Sequence, residues 1–249
     1  MKVNNLSTRE DVYNAPTIPW NNDTYTPISN KFIMDMVEDK LNNMGLVVKN
    51  QSFRTALSKE GLVKGVIGAY DVTTDNGEFG QRVMFRNSYD KSMSFAFVCG
   101  MVVWVCENGC ISGDYTYRRI HRGVITDDIS TTMADIIFYI GEGFKSLQAS
   151  FEKTSVQLNE LKHFEVSPTD AYQIVGELFF NQEVISVNQL SIIKKEFEYS
   201  NNFKHLGAAD FTAYDLYNHI TESLKRSHPL NYINDHVTTH KLFEQTFNI

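Results

Sequence analysis

The stretch Gly80–Gly109, GQRVMFRNSYDKSMSFAFVCGMVVWVCENG, decides how this chain folds. Its second half, Ser92–Cys106, does not alternate between apolar and polar as a half-buried strand would. One set of alternate positions carries Met93, Phe95, Phe97, Cys99, Met101, Val103 and Val105. The other set begins polar and ends with Val98, Val102, Trp104 and Cys106. The run is too short for a membrane helix, which needs about 20 apolar residues. A strand that is apolar on both faces must sit inside a sheet with cover on both sides.

Strand-like segments and short turns extend outward from it. The segments Leu46–Leu57, Leu62–Thr74, Gly80–Ser88, Ser92–Cys106 and Cys110–Tyr117 read as strands. Ser58-Lys59-Glu60-Gly61, Asp75-Asn76-Gly77, Tyr89-Asp90-Lys91 and Glu107-Asn108-Gly109 read as the turns between them. Asn-Gly is a strong hairpin signal because both central turn residues need positive φ. Connections this short force antiparallel neighbours, so the expected sheet is a meander of about five strands.

Helices must supply the cover. Ser29 can cap a helix carrying Phe32, Ile33, Met36, Val37 and Leu41, with Gly45 as its left-handed stop. After the sheet, Thr126-Asp127-Asp128 opens a long helix in which Met133, Ile136, Ile140, Phe144, Leu147 and Phe151 recur at three- and four-residue spacing, with Gly141 and Gly143 as bending points. Ser167-Pro168-Thr169-Asp170 starts another helix, Val187–Tyr199 forms a third, Thr212 caps a fourth and Pro229–Phe247 a last one. The expected class is α+β: an antiparallel β-meander preceded by one helix and covered by a C-terminal set of helices. Residues 1–30 read as an N-terminal arm, 31–125 as helix plus meander, and 126–249 as the helical region packing on the sheet, together one continuous domain.

The chain has 249 residues and a formal charge of −7. That total argues against a simple polybasic nucleic-acid binder. The charge is uneven, however. Residues 126–249 hold 9 basic and 17 acidic side chains, whereas the strand-rich segment Lys49–Arg122 holds 10 and 7. Three cysteines, an odd count, suggest free thiols in a reducing compartment. The polar start Met1–Asp11 does not resemble a secretory signal, so the expected location is the cytoplasm.

The motif Phe85-Arg86-Asn87-Ser88-Tyr89-Asp90-Lys91-Ser92, followed by Cys106-Glu107-Asn108-Gly109, resembles a phage- and plasmid-borne family catalogued as domain of unknown function 932. Tyr214-Asp215-Leu216-Tyr217-Asn218-His219-Ile220-Thr221-Glu222 is similar to that family's C-terminal helix. The resemblance covers roughly residues 25–245. It implies a bacteriophage or plasmid protein working inside a bacterial cell, and it implies no reaction chemistry. The order helix, meander, long helix is also similar to that of single-strand annealing proteins, an analogy that implies oligomers.

The leading candidate site is Tyr115-Thr116-Tyr117-Arg118-Arg119-Ile120-His121-Arg122-Gly123. Arginine makes forked bonds to phosphate, and tyrosine stacks on unpaired bases. With Arg82, Arg86 and Lys91 brought near by neighbouring strands, Tyr115, Tyr117, Arg118, Arg119, His121 and Arg122 would form a basic patch for single-stranded DNA or RNA. The competing reading is a solvated connector whose arginines pair with the acidic helices. The Arg86–Asp90 turn is read as a structural corner, with Tyr89 packed and Asp90 capping. His236 and His240 share a helix face, but the Glu of a zinc-protease motif is absent between them, so they read as surface histidines. Cys99, Cys106 and Cys110 do not complete a metal site, and Gly61, Gly65 and Gly68 do not match a phosphate loop. The expectation is a non-enzymatic accessory protein with no cofactor, metal or membrane partner. Its expected partners are single-stranded nucleic acid and further copies of itself. The alternative is a virion, assembly or host-defence-modulating module that binds a phage or host protein.

Overall fold

The computed structural model describes residues 4–17, 27–74, 77–114, 116–119 and 129–249. In chain order the elements are β1 (Asn4–Ser7), α1 (Arg9–Tyr13), α2 (Asn30–Asn43), β2 (Val48–Leu57), β3 (Val63–Val72), β4 (Phe79–Ser88), β5 (Phe95–Val103), β6 (Asn108–Cys110), β7 (Thr116–Arg119), α3 (Ile129–Leu161), α4 (Pro168–Gly176), α5 (Val187–Tyr199), α6 (Ala213–Leu224) and α7 (Tyr232–Phe247). The helix starts foreseen from Ser29, Ser167 and Thr212 are real caps, each side chain accepting a bond from the third residue onward.

The sheet is antiparallel throughout, in the order β1-β2-β3-β4-β5, with β6 and β7 both on the outer edge of β5. The α+β class and the meander are therefore as the residues implied, with seven strands in place of five. One added strand comes from the N-terminal arm, where β1 pairs with β2 and α1 follows it. Arg9 makes a forked bond to Glu38 of α2 at 3.0 and 2.5 Å, so this part of the arm packs on its own chain. The other comes from a split in the expected last strand. The Cys110 carbonyl lies 2.5 Å from where a Cβ on Gly100 would stand. Beyond it the chain leaves the sheet, turns at Gly113 with φ +90°, and returns as β7 beside Phe95–Val98.

Every residue of β4 and β5 is buried. One face, with Val66, Tyr70, Val83, Phe85, Phe95 and Phe97, packs under α2 and α3. The opposite face, with Ile67, Ala69, Met84, Ala96 and Val98, packs under Tyr232, Ile233 and Val237 of α7. Past the sheet edge, Phe79, Met101, Val103 and Cys110 join a third core made by the end of α3 and by α4–α7. Nearly all of α6 is buried in it.

Two glycine readings change. Asn108-Gly109 is not the centre of its turn. The turn is Trp104–Glu107, Glu107 takes the positive φ at 57°, and Asn108 and Gly109 already belong to β6. The Asp75-Asn76 part of the other Asn-Gly turn lies outside the described residues. Gly143 is explained by close approach: a Cβ there would stand 2.2 Å from the Phe97 ring. That ring is fully buried and packed on Phe144, so it has nowhere to retreat.

Gly143→Ala should cost about 1–3 kcal/mol through overpacking. Gly141→Ala, with nothing within 4 Å of its Cβ, should gain about 0.5–1 kcal/mol from helix propensity. Urea unfolding of the two variants tests the contrast, and equal midpoints would refute it.

Candidate functional site

Successive side chains on a strand point to opposite faces. That rule divides the sequence-predicted patch. On β7, Tyr117 faces α3, where its hydroxyl meets Ser146 Oγ at 2.7 Å. Arg118 faces the other way, stays exposed, and donates from Nη2 to Asn234 Oδ1 of α7 at 3.0 Å. Its cross-strand row on that face runs Arg118, Ala96, Arg86, Ile67, Arg54. Arg86 is buried and donates to the Ser94 carbonyl at 3.2 Å and to Ser94 Oγ at 3.0 Å. It has no carboxylate partner among the described residues. Burial first, and the charge of Arg118 second, pull its pKa down to about 10. The structure thus brings Arg86 and Arg118 together and sends Tyr117 to the opposite face. Lys91 lies on the exposed turn after β4, with φ +61°. Arg119 pairs through its backbone with Phe95. Tyr115, His121 and Arg122 lie outside the described residues.

The Arg86–Asp90 corner holds the sheet to α2. Asn87 Nδ2 donates to the Ile28 carbonyl at 2.8 Å and to Asn30 Oδ1 at 2.9 Å. The buried Tyr89 hydroxyl accepts from the Asn30 amide at 2.8 Å. Asp90 Oδ1 accepts from the Ser92 amide at 3.0 Å, closing the turn. Asn108 does similar work at the other end of the motif, donating from Nδ2 to the Asn218 carbonyl of α6 at 2.9 Å.

A second cationic group was not legible from spacing. Arg82, buried on the same face as Arg86, makes a forked pair with buried Asp71 at 2.5 and 2.9 Å. Burial alone would lower its pKa, but the Asp71 charge and hydrogen bonds outweigh burial and raise it. Gly109 makes room for this guanidinium: a Cβ there would meet Arg82 Nη1 at 2.4 Å. Arg54 lies over the Tyr232 ring, 4.6 Å from its centroid. Its Nη1 is buried without a hydrogen-bond partner. Burial pulls the Arg54 pKa down, the Tyr232 hydroxyl opposes this, and repulsion by Arg82 and Arg226 adds to it. These groups open on a cleft of about 470 Å³ between the sheet face and α5–α7. Alternation puts Arg54 and Arg82 on one face, but no local pattern joins them to Arg226 and Tyr232.

The histidine reading is revised. His236 and His240 are fully buried, not on the surface. Burial lowers them to about 3 and about 4. His240 Nδ1 lies 3.5 Å from Cys110 Sγ, and Tyr217 Oη donates to that sulfur at 2.9 Å. The directions are opposite to those of an activated thiolate, because burial pushes the Cys110 thiol up to about 12. Cys99 and Cys106 are likewise buried and raised to about 12. Cys106 lies beyond the end of β5, in the turn before β6. Among the described residues no group of three or more His, Cys, Asp or Glu could hold a metal, and no helix is long and apolar enough to cross a membrane.

A family model described as Domain of unknown function (DUF932) matches residues 20–245. No curated protein and no solved structure matches the chain.

Asp71→Asn would leave the buried Arg82 charge without its counter-ion, and should cost about 3–5 kcal/mol in chemical unfolding. A loss below about 1 kcal/mol would show that the pair is not fully desolvated. Stability should also fall on acidification. The folded pKa values of His236 and His240 lie below the ~6.5 of an unfolded histidine, so the unfolded chain takes up protons first. The loss begins near pH 6.5 and reaches about 2 kcal/mol per histidine by pH 5. Asp235, raised to about 6 by burial, works in the opposite sense and recovers on the order of 1 kcal/mol. A urea midpoint unchanged between pH 7 and 5 would contradict this balance.

Proposed function

The chain belongs to the DUF932 family, and from that premise we propose that it is a non-enzymatic nucleic-acid-binding protein of a bacteriophage or plasmid, working in the bacterial cytoplasm and taking single strands at the β7 edge of its sheet. The observation that carries this reading is the pair Arg86 and Arg118, two guanidiniums on one face with no carboxylate partner among the described residues. Arg118 is exposed, and among the described residues its guanidinium bonds to a neutral amide alone. A phosphate supplies the missing counter-charge and accepts forked bonds from such a group. Arg119 and Arg122 continue the same segment of sequence. Tyr117 anchors β7 to α3, so the proposal gives it no stacking role.

A second reading, a protein-interaction module, rests on the exposed apolar side chains of the helical half. Tyr172, Phe180, Val187 and Tyr199 are 63–76% exposed. Scattered exposed side chains are ordinary on monomers, which ranks this reading below the first.

Oligonucleotide binding at two salt concentrations separates them. If three phosphates of a single strand are neutralised, affinity should fall about 20-fold between 50 and 200 mM salt. Charge reversal of Arg118, Arg119 and Arg122 together should abolish binding while the circular dichroism spectrum stays unchanged. A folded protein that binds neither single- nor double-stranded oligonucleotides at low salt would exclude the nucleic-acid reading and leave the interaction module.

A further inference from the structure

The cleft between the sheet and α5–α7 lies on a different flank of α7 from Arg118. Asn234, which holds Arg118, and Tyr232, which carries Arg54, are two positions apart on that helix and so point to different sides. The cleft is about 470 Å³ in volume, and its lining includes Arg54, Arg82, Arg226 and Tyr232, with Arg54 close to the other three. Asp71 neutralises one of these three charges. Arg54 and Arg226 have no carboxylate partner among the described residues.

The arrangement is pre-organised for an oxyanion. Arg82 is locked by Asp71 on one edge and by the Glu107 carbonyl at 3.4 Å. The Tyr232 ring takes the face of the Arg54 guanidinium, which leaves its N–H edge for in-plane bonds. Its Nη1, shielded from water without a partner, is a donor that a buried site leaves unmade only at a cost. Asn50 and Ser52 line the same cleft and add neutral polar groups.

We propose that this cleft is a separate binding site for a single phosphate monoester, such as a nucleoside monophosphate. A dianion matches the charges of Arg54 and Arg226, the two arginines that Asp71 leaves uncompensated. Glu107, Glu196, Glu222 and Lys225 line both the cleft and the neighbouring groove beside Trp104–Glu107, and Lys195 lines the cleft as well. Lys225 is paired with Glu222 at 2.6 Å. This mixed-charge part of the lining can exchange hydrogen bonds with sugar hydroxyls or base amino groups.

Isothermal titration of the full chain with inorganic phosphate, a nucleoside monophosphate and the free nucleoside tests this. The monophosphate should bind and the nucleoside should not. Arg226→Glu, at an exposed position, and Arg54→Met should each weaken the monophosphate at least ten-fold. Arg54→Met should not lower the melting temperature, because it removes a half-buried charge that has no counter-ion among the described residues. Lys241→Glu, on an exposed part of α7, should bind as the parent does. A 5′-phosphorylated oligonucleotide binding more tightly than its 5′-hydroxyl form, only when Arg54 is present, would identify a strand end as the source of the phosphate. Equal binding of the two forms, with the mononucleotide still bound, would identify a free mononucleotide. The site is overturned if neither phosphate nor monophosphate binds at millimolar concentration, or if Arg54→Met and Arg226→Glu bind as the parent does. Arg118→Glu should leave mononucleotide binding intact, so this site and the strand-binding edge can fail separately.

Discussion

Strands β4 and β5 have no solvent face, and the rest of the molecule follows from that constraint. A sheet buried on both sides needs apolar cover on both sides. Helices α2 and α3 supply it on one face and α7 on the other, with α4–α6 sealing the end. The close fit is visible where side chains are missing: Gly143 meets the Phe97 ring, and Gly100 yields to the Cys110 carbonyl. Interiors packed to this density have little room to adjust, so each of these glycines is determined by a neighbour and not by backbone conformation.

Placing charge inside such a structure is costly, which gives the buried arginines their meaning. Arg82 is compensated by Asp71 and is held in the space that Gly109 leaves. The buried Arg86 and the half-buried Arg54 have no such partner among the described residues. Uncompensated guanidiniums are rarely kept for stability, because apolar residues of similar volume pack as well or better. Both lie on the α7 face of the sheet, one beside the β7 edge and one in the cleft. The two anion-binding proposals draw on that single physical fact at two places.

The motif residues that carry the family likeness turn out to be joints. Asn87 and Tyr89 tie the β4–β5 corner to the start of α2, and Asn108 ties β6 to Asn218 in α6. Segments far apart in the chain are thereby pinned to one another by buried polar groups whose hydrogen bonds would be costly to lose. The Cys110, Tyr217 and His240 cluster is similarly internal, with a thiol raised and an imidazole lowered by the same burial.

Local patterns were enough for the elements. Caps at Ser29, Ser167 and Thr212, the doubly apolar strand around Phe95–Val103, and short turns between strands together determined an antiparallel meander with helical cover. Those signals act over a few residues and are written directly in the order of side chains. The arm's strand, the split last strand, and the burial of His236 and His240 were decided by contacts across the molecule. The same holds for the cationic sites. Strand alternation separated Tyr117 from Arg118, and packing brought Arg54, from the second strand, against Tyr232 of the last helix and Arg226 of the turn after α6. The net charge of −7 says nothing of this. Whether a charge is compensated depends on which residues fold next to it, and only the tertiary structure decides that.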